Sequence, residues 1–392
     1  MCEMRRRFLP VGQGAFYVEQ FFDYGTVRDR RVNVVYDCGS LSGSTLLHDR
    51  IDDCFYAGEK IHALFLSHFD ADHVNGLEYL LKHYQVEHIF FPLLTKEDKA
   101  LIRLQYLINN TLSDNYSFWL RFALEPLETI EQMGLDYAPM LHPVESETEN
   151  NGSIESRDTP EDFRQGERVR VRTVRSGDNV IDTVCSSVAT THHIHELEWL
   201  YIPFHFREQT RRNILKKSLM ENLGTCDPEE LLDLLKSNPS YLTEIKKAYS
   251  KIPDGFNTNS MTLFSGTRAM RIAKFLTYPE HLCTRCLFPI NPGVLYMGDY
   301  DASGRQKWQQ LQHAYEDYAP YIGCLQVPHH GSKYNFNIRL LDNISCQACV
   351  ISAGLINRYG HPDGDVVKQI MLSGKYLGIV TEQSWSEIAM FV

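Results

Sequence analysis

Short apolar runs bounded by Gly, Asp or Ser fill the first 90 residues: Phe8-Leu9 entering Val11-Gly12-Gln13-Gly14, Val32 to Tyr36, and Ala63 to Ser67. Runs of that length between turn formers predict buried strands. The period then changes. Val74, Leu77, Leu80, Leu81 and Tyr84 recur at helical spacing, which predicts one helix over 74–84, and Ile89 to Phe91 returns to strand. Strand, loop, helix, strand is an α/β pattern. Residues 95–143 are helical in character, and Glu145 to Asp162 is polar and acidic without periodicity, which predicts a surface loop.

Between 168 and 175 arginine alternates with Val169, Val171 and Thr173, placing Arg168, Arg170 and Arg172 on one face of a predicted strand. That face is either solvated or a stripe that tracks phosphates. Residues 207–250 are helical and charged, with Arg211, Arg212, Lys216, Lys217, Lys246 and Lys247 among Leu and Ile, and predict a lid or a protein-partner surface. Strands resume at Met261 to Phe264, Val294 to Met297, Cys324 to Val327 and Cys349 to Ser352, with helices at Ser303 to Tyr315 and Asp365 to Leu372. The predicted organisation is two halves, 1–95 and 255–392, framing an insertion at 96–254.

Composition narrows the class. With 392 residues, 43% hydrophobic and 23% charged, the chain has material for a real core. No apolar run approaches the ~20 residues of a membrane span, and the start Met1-Cys2-Glu3-Met4-Arg5-Arg6-Arg7 lacks a secretory apolar stretch, so no membrane partner and a cytoplasmic location are expected. The net charge of −11 excludes coating of nucleic acid through overall charge, while leaving room for a local basic groove. Ten cysteines without a signal peptide favour reduced thiols or metal ligands. Cys283/Cys286 and Cys346/Cys349 have CxxC spacing and read as a distant zinc knuckle or as four buried thiols.

The chemistry concentrates where apolar strands end. In Ser67-His68-Phe69-Asp70-Ala71-Asp72-His73, two histidines and two carboxylates fall within six residues. Burying those carboxylates without partners costs several kcal/mol each, and a cation is the natural partner. A tight loop aims His68 and Asp70 at one metal, and the first helical turn aims Asp72 and His73 at a second. Val294-Leu295-Tyr296-Met297-Gly298-Asp299 delivers an acid after a glycine that permits close approach, so Asp299 suits a carboxylate shared by two metals. Val327-Pro328-His329-His330-Gly331-Ser332 offers one histidine for a metal shell and one for substrate. Asn357-Arg358-Tyr359-Gly360-His361-Pro362 gathers an amide, a guanidinium, a phenol and an imidazole suited to a phosphate oxygen or a leaving group.

These motifs, together with Val11-Gly12-Gln13-Gly14, Tyr36-Asp37-Cys38-Gly39 and Asn259-Ser260, resemble the metallo-β-lactamase superfamily, and within it the hydrolase domain of the DNA-uptake channel protein ComEC. The match spans about 8–95 and 255–392. The resemblance implies an α/β fold, a metallo-β-lactamase-like αββα sandwich with a large, mainly helical insertion between the halves of its hydrolase core. It implies two divalent metal ions, with His68 and Asp70 on one, Asp72 and His73 on the other, Asp299 between them, and His330 or His329 nearby. Asp70 stands where many members carry a histidine, which makes the site richer in oxygen and brings manganese into competition with zinc. Two departures are visible: Ala15 follows Gly14 where related domains often carry an acid, and the extra histidine of many members has no clear counterpart, with His142, His192, His193 and His195 in the right interval.

The function expected is a metal-dependent hydrolase, a phosphodiesterase and specifically a nuclease. Asp72, His329 and His361 fill catalytic roles, and Ser332, Asn357, Arg358, Tyr359, Arg168, Arg170 and Arg172 contact substrate. Its partner is nucleic acid or a nucleotide-like phosphodiester, with a protein partner possible in principle at 207–250. The competing readings are hydrolysis of a small phosphodiester, such as a cyclic nucleotide or phosphocholine-like ester, and an interaction subunit of a bacterial defence or DNA-processing system.

Overall fold

The computed structural model describes residues 2–23, 31–109, 116–147, 169–186, 194, 197–207, 210–249, 260–269, 272–277 and 288–392. Sixteen strands among them form two sheets. The larger has the order β11-β10-β16-β1-β2-β3-β4-β5-β6-β7. Its members are β1 (Cys2–Phe8), β2 (Gly14–Asp23), β3 (Val32–Ser40), β4 (Lys60–Phe65), β5 (Gln85–Pro92), β6 (Met140–Val144), β7 (Arg170–Val171), β10 (Ala273–Thr277), β11 (Phe288–Ile290) and β16 (Ile388–Phe391). The smaller runs β15-β14-β13-β12-β9-β8, from β8 (Trp199–Phe204), β9 (Thr262–Thr267), β12 (Gly293–Tyr296), β13 (Ile322–Gln326), β14 (Ala348–Ser352) and β15 (Tyr376–Val380).

Three apolar layers give the order helix, sheet, sheet, helix. Between the sheets, Phe8, Tyr17, Val34 and Phe65 meet Tyr201, Leu263, Tyr296 and Val350. On the outer face of the large sheet, Val35, Leu64 and Ile89 receive Leu47, Leu77 and Leu80 from the helices Ser44–Asp52 and Leu77–His83. On the outer face of the small sheet, Leu295, Leu325 and Ile351 receive Trp308, Leu340 and Ile370. β4 and β14 are buried on both faces, which is why they read as continuous apolar runs rather than as alternation.

One charged centre lies inside this apolar sandwich. Arg6 is fully buried, its Nε 2.7 Å from Glu19 Oε1, and its guanidinium also donates to the carbonyls of Pro292 and Ser265. Glu19 in turn accepts from Tyr201, Ser265 and Tyr296, so every lone pair removed from water is replaced. The pair crosses from β1 and β2 to the opposite sheet and fixes their relative position.

Several elements differ from the sequence expectation. The helix expected over 74–84 is two helices, Ala71–Val74 and Leu77–His83. Asn75 and Gly76 turn instead toward β3: the Asn75 side chain accepts from Ser40 N and donates to Ser40 O, and Gly76 N donates to Cys38 O. The helical tone of 95–143 ends in strand β6, parallel to β5 with Leu141 opposite Ile89. The arginine strand shortens to Arg170–Val171, although Arg172 N and Val174 N continue to donate to the β6 carbonyls of Leu141 and Pro143. Thus β6 and β7 of the 96–254 segment extend the large sheet, and β8 supplies an edge of the small one.

The helices Thr210–Leu223, Pro228–Ser237 and Tyr241–Tyr249 confirm the helical reading of 207–250. Their Leu215, Leu219, Leu231, Leu235 and Ile245 pack with Leu101 and Leu104 of the helix Lys96–Asn109, so these five are covered within the chain, while Ile214 and Met220 stay exposed. Of the acidic stretch, 148–162 lies outside the described residues. No helix among the described residues is long and apolar enough to cross a membrane.

Candidate metal centre

The site forms where parallel strands of both sheets end on the same edge of the sandwich. β4 ends at Phe65 and leads into Ser67 and His68. β12 ends at Tyr296 and leads through Gly298 to Asp299, β13 leads to His329 and His330, and β14 ends at Ser352 before the loop to His361. Strand burial fixes these ends, and the polar residues after them have nowhere to go but toward one another.

Two glycines permit the approach. Gly298 adopts φ +52°, and a Cβ there would meet Ser67 Cβ at 2.6 Å. A Cβ on Gly39 would lie 2.4 Å from the backbone carbon of Asp72, so the helical turn carrying Asp72 and His73 packs directly on β3. Asp37, His329 and His330 also take positive φ, at 54°, 49° and 53°. Non-glycine residues in that region store strain that the surrounding packing must hold, and three of them here meet at one place.

Two groups of donors assemble, each with its atoms within 4.8 Å of one another: His68, His73 and Asp299, and Asp72, His73 and His330. His73 belongs to both. Its Nε2 is 3.1 Å from Asp299 Oδ1, while Asp299 Oδ2 is 3.6 Å from both His68 Nε2 and His329 Nε2. His330 Nε2 is 3.2 Å from Asp72 Oδ2. Asp70 stands at the rim, its Oδ2 3.9 Å from His68 Nε2 and its side chain a third exposed.

Around these donors a second set of groups fixes ring orientation. Asp37 Oδ2 is 2.8 Å from His73 Nδ1, and Asp37 also accepts from the Ser67 amide and hydroxyl. His68 Nδ1 lies 2.9 Å from Ser67 Oγ and 3.2 Å from Ser260 Oγ, and His330 Nδ1 donates to the Ser352 carbonyl at 2.7 Å. Each Nδ1 is thereby engaged and each Nε2 is left facing the cluster, the arrangement that metal-binding histidines require.

The fit to a cation rests on buried atoms. His68 Nε2, His73 Nε2 and Asp299 Oδ1 are buried and make no aligned hydrogen bond, despite the short His73 to Asp299 distance. Polar atoms without partners are costly in a protein interior, and three together at one point are a donor set for a positive ion. Electrostatics agrees. Burial acts to lower His73, yet Asp299 and Asp37 hold it well above the usual histidine range, so with these side chains alone a proton occupies the position between the two carboxylates. Burial and the neighbouring His73 push His68 down to about 3. Burial acts to raise Asp299, but His329, His73 and His68 hold it well below the usual carboxylate range; against the same burial cost, the His330 hydrogen bond and His73 bring Asp72 to about 2.

The other expected residues separate into near and far. His329 is partly exposed beside Asp299, and its ring centroid is 5.6 Å from that of His361. Ser332 is buried and its hydroxyl accepts from Tyr334 N, a local turn contact. Asn357 is occupied in holding its own loop: its amide donates to the Gly354 and His361 carbonyls, and its carbonyl accepts from the Tyr359 and His361 amides. Arg358 and Tyr359 lie outside the buried cluster.

Arg170 and Arg172 are exposed at the far edge of the large sheet. Three strand spacings separate β7 from β4, roughly 14 Å at about 4.8 Å each. Arg168 lies outside the described residues, as do His192, His193, His195, Cys283, Cys286 and Asn259. His142 is buried away from the donors: Nε2 is 3.0 Å from His88 Nδ1 and Nδ1 is 3.1 Å from the Arg172 carbonyl. Cys346 and Cys349 are buried free thiols.

Asp37, Ser67, Ser260 and Ser352 all fall within or beside the sequence motifs, which assign none of them a role. At Ser67 and Ser352 the usable signal is a polar residue following or ending an apolar strand; Asp37 is an acid inside the buried strand Val32–Ser40, and Ser260 stands just before Thr262–Thr267.

Residues 25–146 match the family model of the metallo-beta-lactamase superfamily. The mixed α/β fold with two facing sheets agrees with that class. Among solved structures, the chain is similar to a diphosphatase from the PhnP family, at 6% identity with 88% of this chain and 85% of that one covered and a TM-score of 0.33. It is also similar to MEM-A1, a subclass B3 metallo-beta-lactamase isolated from a soil metagenome library, at 9% identity with 82% and 79% covered and a TM-score of 0.29. No curated protein matches the chain.

Proposed function

We propose that this protein is a metal-dependent phosphodiesterase, holding two divalent ions, zinc or manganese, and cleaving nucleic acid. The observation that carries the reading is a continuous run of donors at one sheet edge, His68, His73 and Asp299 meeting at one point and Asp72 with His330 directly beside them. His68, His73 and Asp299 would hold one ion, with Asp70 closing it from the rim, and Asp72 with His330 would hold the neighbouring position, because the one free nitrogen of His73 can bind a single ion. Bound ions there would polarise a phosphoryl oxygen and lower the pKa of water.

The chain's own residues supply the rest. Asp37, Ser67, Ser260 and the Ser352 carbonyl keep the imidazoles oriented, so that little reorganisation accompanies binding. His329 stands beside Asp299 with the His361 ring next to it, both partly exposed and so available to a phosphate seated there. Hydrolysis joins a water oxygen to phosphorus, breaks the bond to the leaving alcohol and delivers a proton to that alcohol's oxygen; His329 serves the proton movement and His361 a phosphoryl oxygen. The motif likeness to the ComEC hydrolase domain supports a polynucleotide substrate. Arg170 and Arg172 add to it only for a substrate long enough to cross the sheet edge.

The test is metal analysis of the purified chain coupled to assays on single-stranded DNA, duplex DNA, RNA and a chromogenic phosphodiester, with and without manganese. Two ions per chain with polynucleotide cleavage, abolished in Asp72→Ala and Asp299→Ala, is the expected result. Cleavage of the small ester alone reassigns the substrate, and activity surviving both substitutions removes the proposed site.

A further inference from the structure

Two exposed tyrosines stand on the loops that carry His330 and His361, each with a cation beside its ring. Tyr359 is 47% exposed and Tyr334 56%. The Arg358 guanidinium lies 5.0 Å from the Tyr359 centroid and the Lys333 ammonium 5.4 Å from that of Tyr334. Their two loops are joined: Asp363 N donates to Gly331 O at 3.0 Å, and Lys333 Nζ is 3.4 Å from Asp363 Oδ2.

The Tyr359 ring lies within 13° of parallel to His361, with centroids 6.1 Å apart, and His361 is followed by His329 at 5.6 Å. Because His329 Nε2 is 3.6 Å from Asp299 Oδ2, a series of rings runs from the buried donors to the surface. An exposed aromatic ring at the end of that series, with a cation at its edge, matches a base attached to a phosphate: the ring face takes the base and the cation the backbone.

We propose that Tyr359 and Tyr334, with Arg358 and Lys333, form a nucleobase subsite that selects esters carrying a planar base next to the scissile phosphate. This rests on the phosphodiesterase reading above. The subsite is sequence-tolerant, because every base offers a π-face, and it favours unpaired bases, whose faces are free.

The experiment compares kcat/KM for thymidine 5′-(p-nitrophenyl phosphate) and for methyl p-nitrophenyl phosphate, in the full chain supplied with manganese or zinc. The ratio of the two is expected to fall about tenfold in Tyr359→Ala and less in Tyr334→Ala, and to stay within about twofold of wild type in Tyr359→Phe. A ratio unmoved in both alanine variants overturns the subsite while leaving the hydrolase in place. Failure of the wild-type chain to cleave either ester removes the phosphodiesterase reading and the subsite with it. Thermal melting of each variant separates lost selectivity from lost folding.

Discussion

Asp37 Oδ2 lies 2.8 Å from His73 Nδ1, and this contact decides which nitrogen of His73 faces the donor cluster. Asp37 is fully buried, takes φ 54° and accepts two further hydrogen bonds from Ser67. A side chain held that firmly leaves the imidazole one orientation.

Removing this support has a definite consequence. Asp37→Ala frees the His73 ring while sparing every proposed ligand, and metal affinity is expected to drop about 10- to 100-fold. Titration calorimetry with manganese and zinc reads the change. An affinity equal to wild type would show that Asp37 serves the fold alone.

The Arg6 and Glu19 pair yields a stability prediction independent of function. Glu19→Ala leaves the guanidinium buried beside Tyr201 and Tyr296 without its counter-charge, at a cost of about 3–5 kcal/mol. Urea unfolding is the measure, and a shift below about 1 kcal/mol would mean that the sheets are held by apolar contact alone.

Acid sensitivity should come in part from His142. Burial and the adjacent His88 push its pKa from the ordinary 6.5 down to about 3. Above pH 6.5 the ring is neutral in both folded and unfolded chain and adds no pH dependence. Below it the unfolded chain takes up a proton that the folded ring refuses, so stability falls as pH drops from 6.5 toward 3. His142→Gln should flatten that slope in urea midpoints measured across the window; an unchanged slope assigns the acid sensitivity to other groups.

Metal binding should appear as stability even before any substrate is known. An ion that binds only the folded chain raises the unfolding free energy by mass action, by about 2.7 kcal/mol at a hundredfold excess over its Kd. Melting temperature should therefore fall on chelation and recover with added zinc or manganese. Asp299→Ala should remove most of the recovery.

Gly39→Ala tests the packing that brings the two carboxylate-bearing segments together. Its Cβ would overlap the Asp72 backbone, so the turn carrying Asp72 and His73 must move away from β3. Loss of metal binding with the fold retained by circular dichroism is the expected outcome.

Local sequence determined a good part of this protein. The buried strands β3, β4, β12, β13 and β14 were legible because each is a short apolar run closed by a turn former, and the donors His68, Asp72, His73, Asp299 and His330 were legible because polar residues follow directly after those runs. What sequence did not carry was distance. Nothing local distinguishes Asp70, at the rim, from Asp72, two residues on and inside the cluster, since that depends on the helical turn that Gly39 allows against β3. The same holds for β6, whose apolar residues read as helix until β5 offers a parallel partner, and for Arg170 and Arg172, whose alternation is real but whose place at the sheet edge follows from strand order. Asp37 makes the point most plainly: as a residue it is an acid in a strand, and only pairing with a histidine 36 positions later, brought close by the packing of the turn on β3, makes it part of a site.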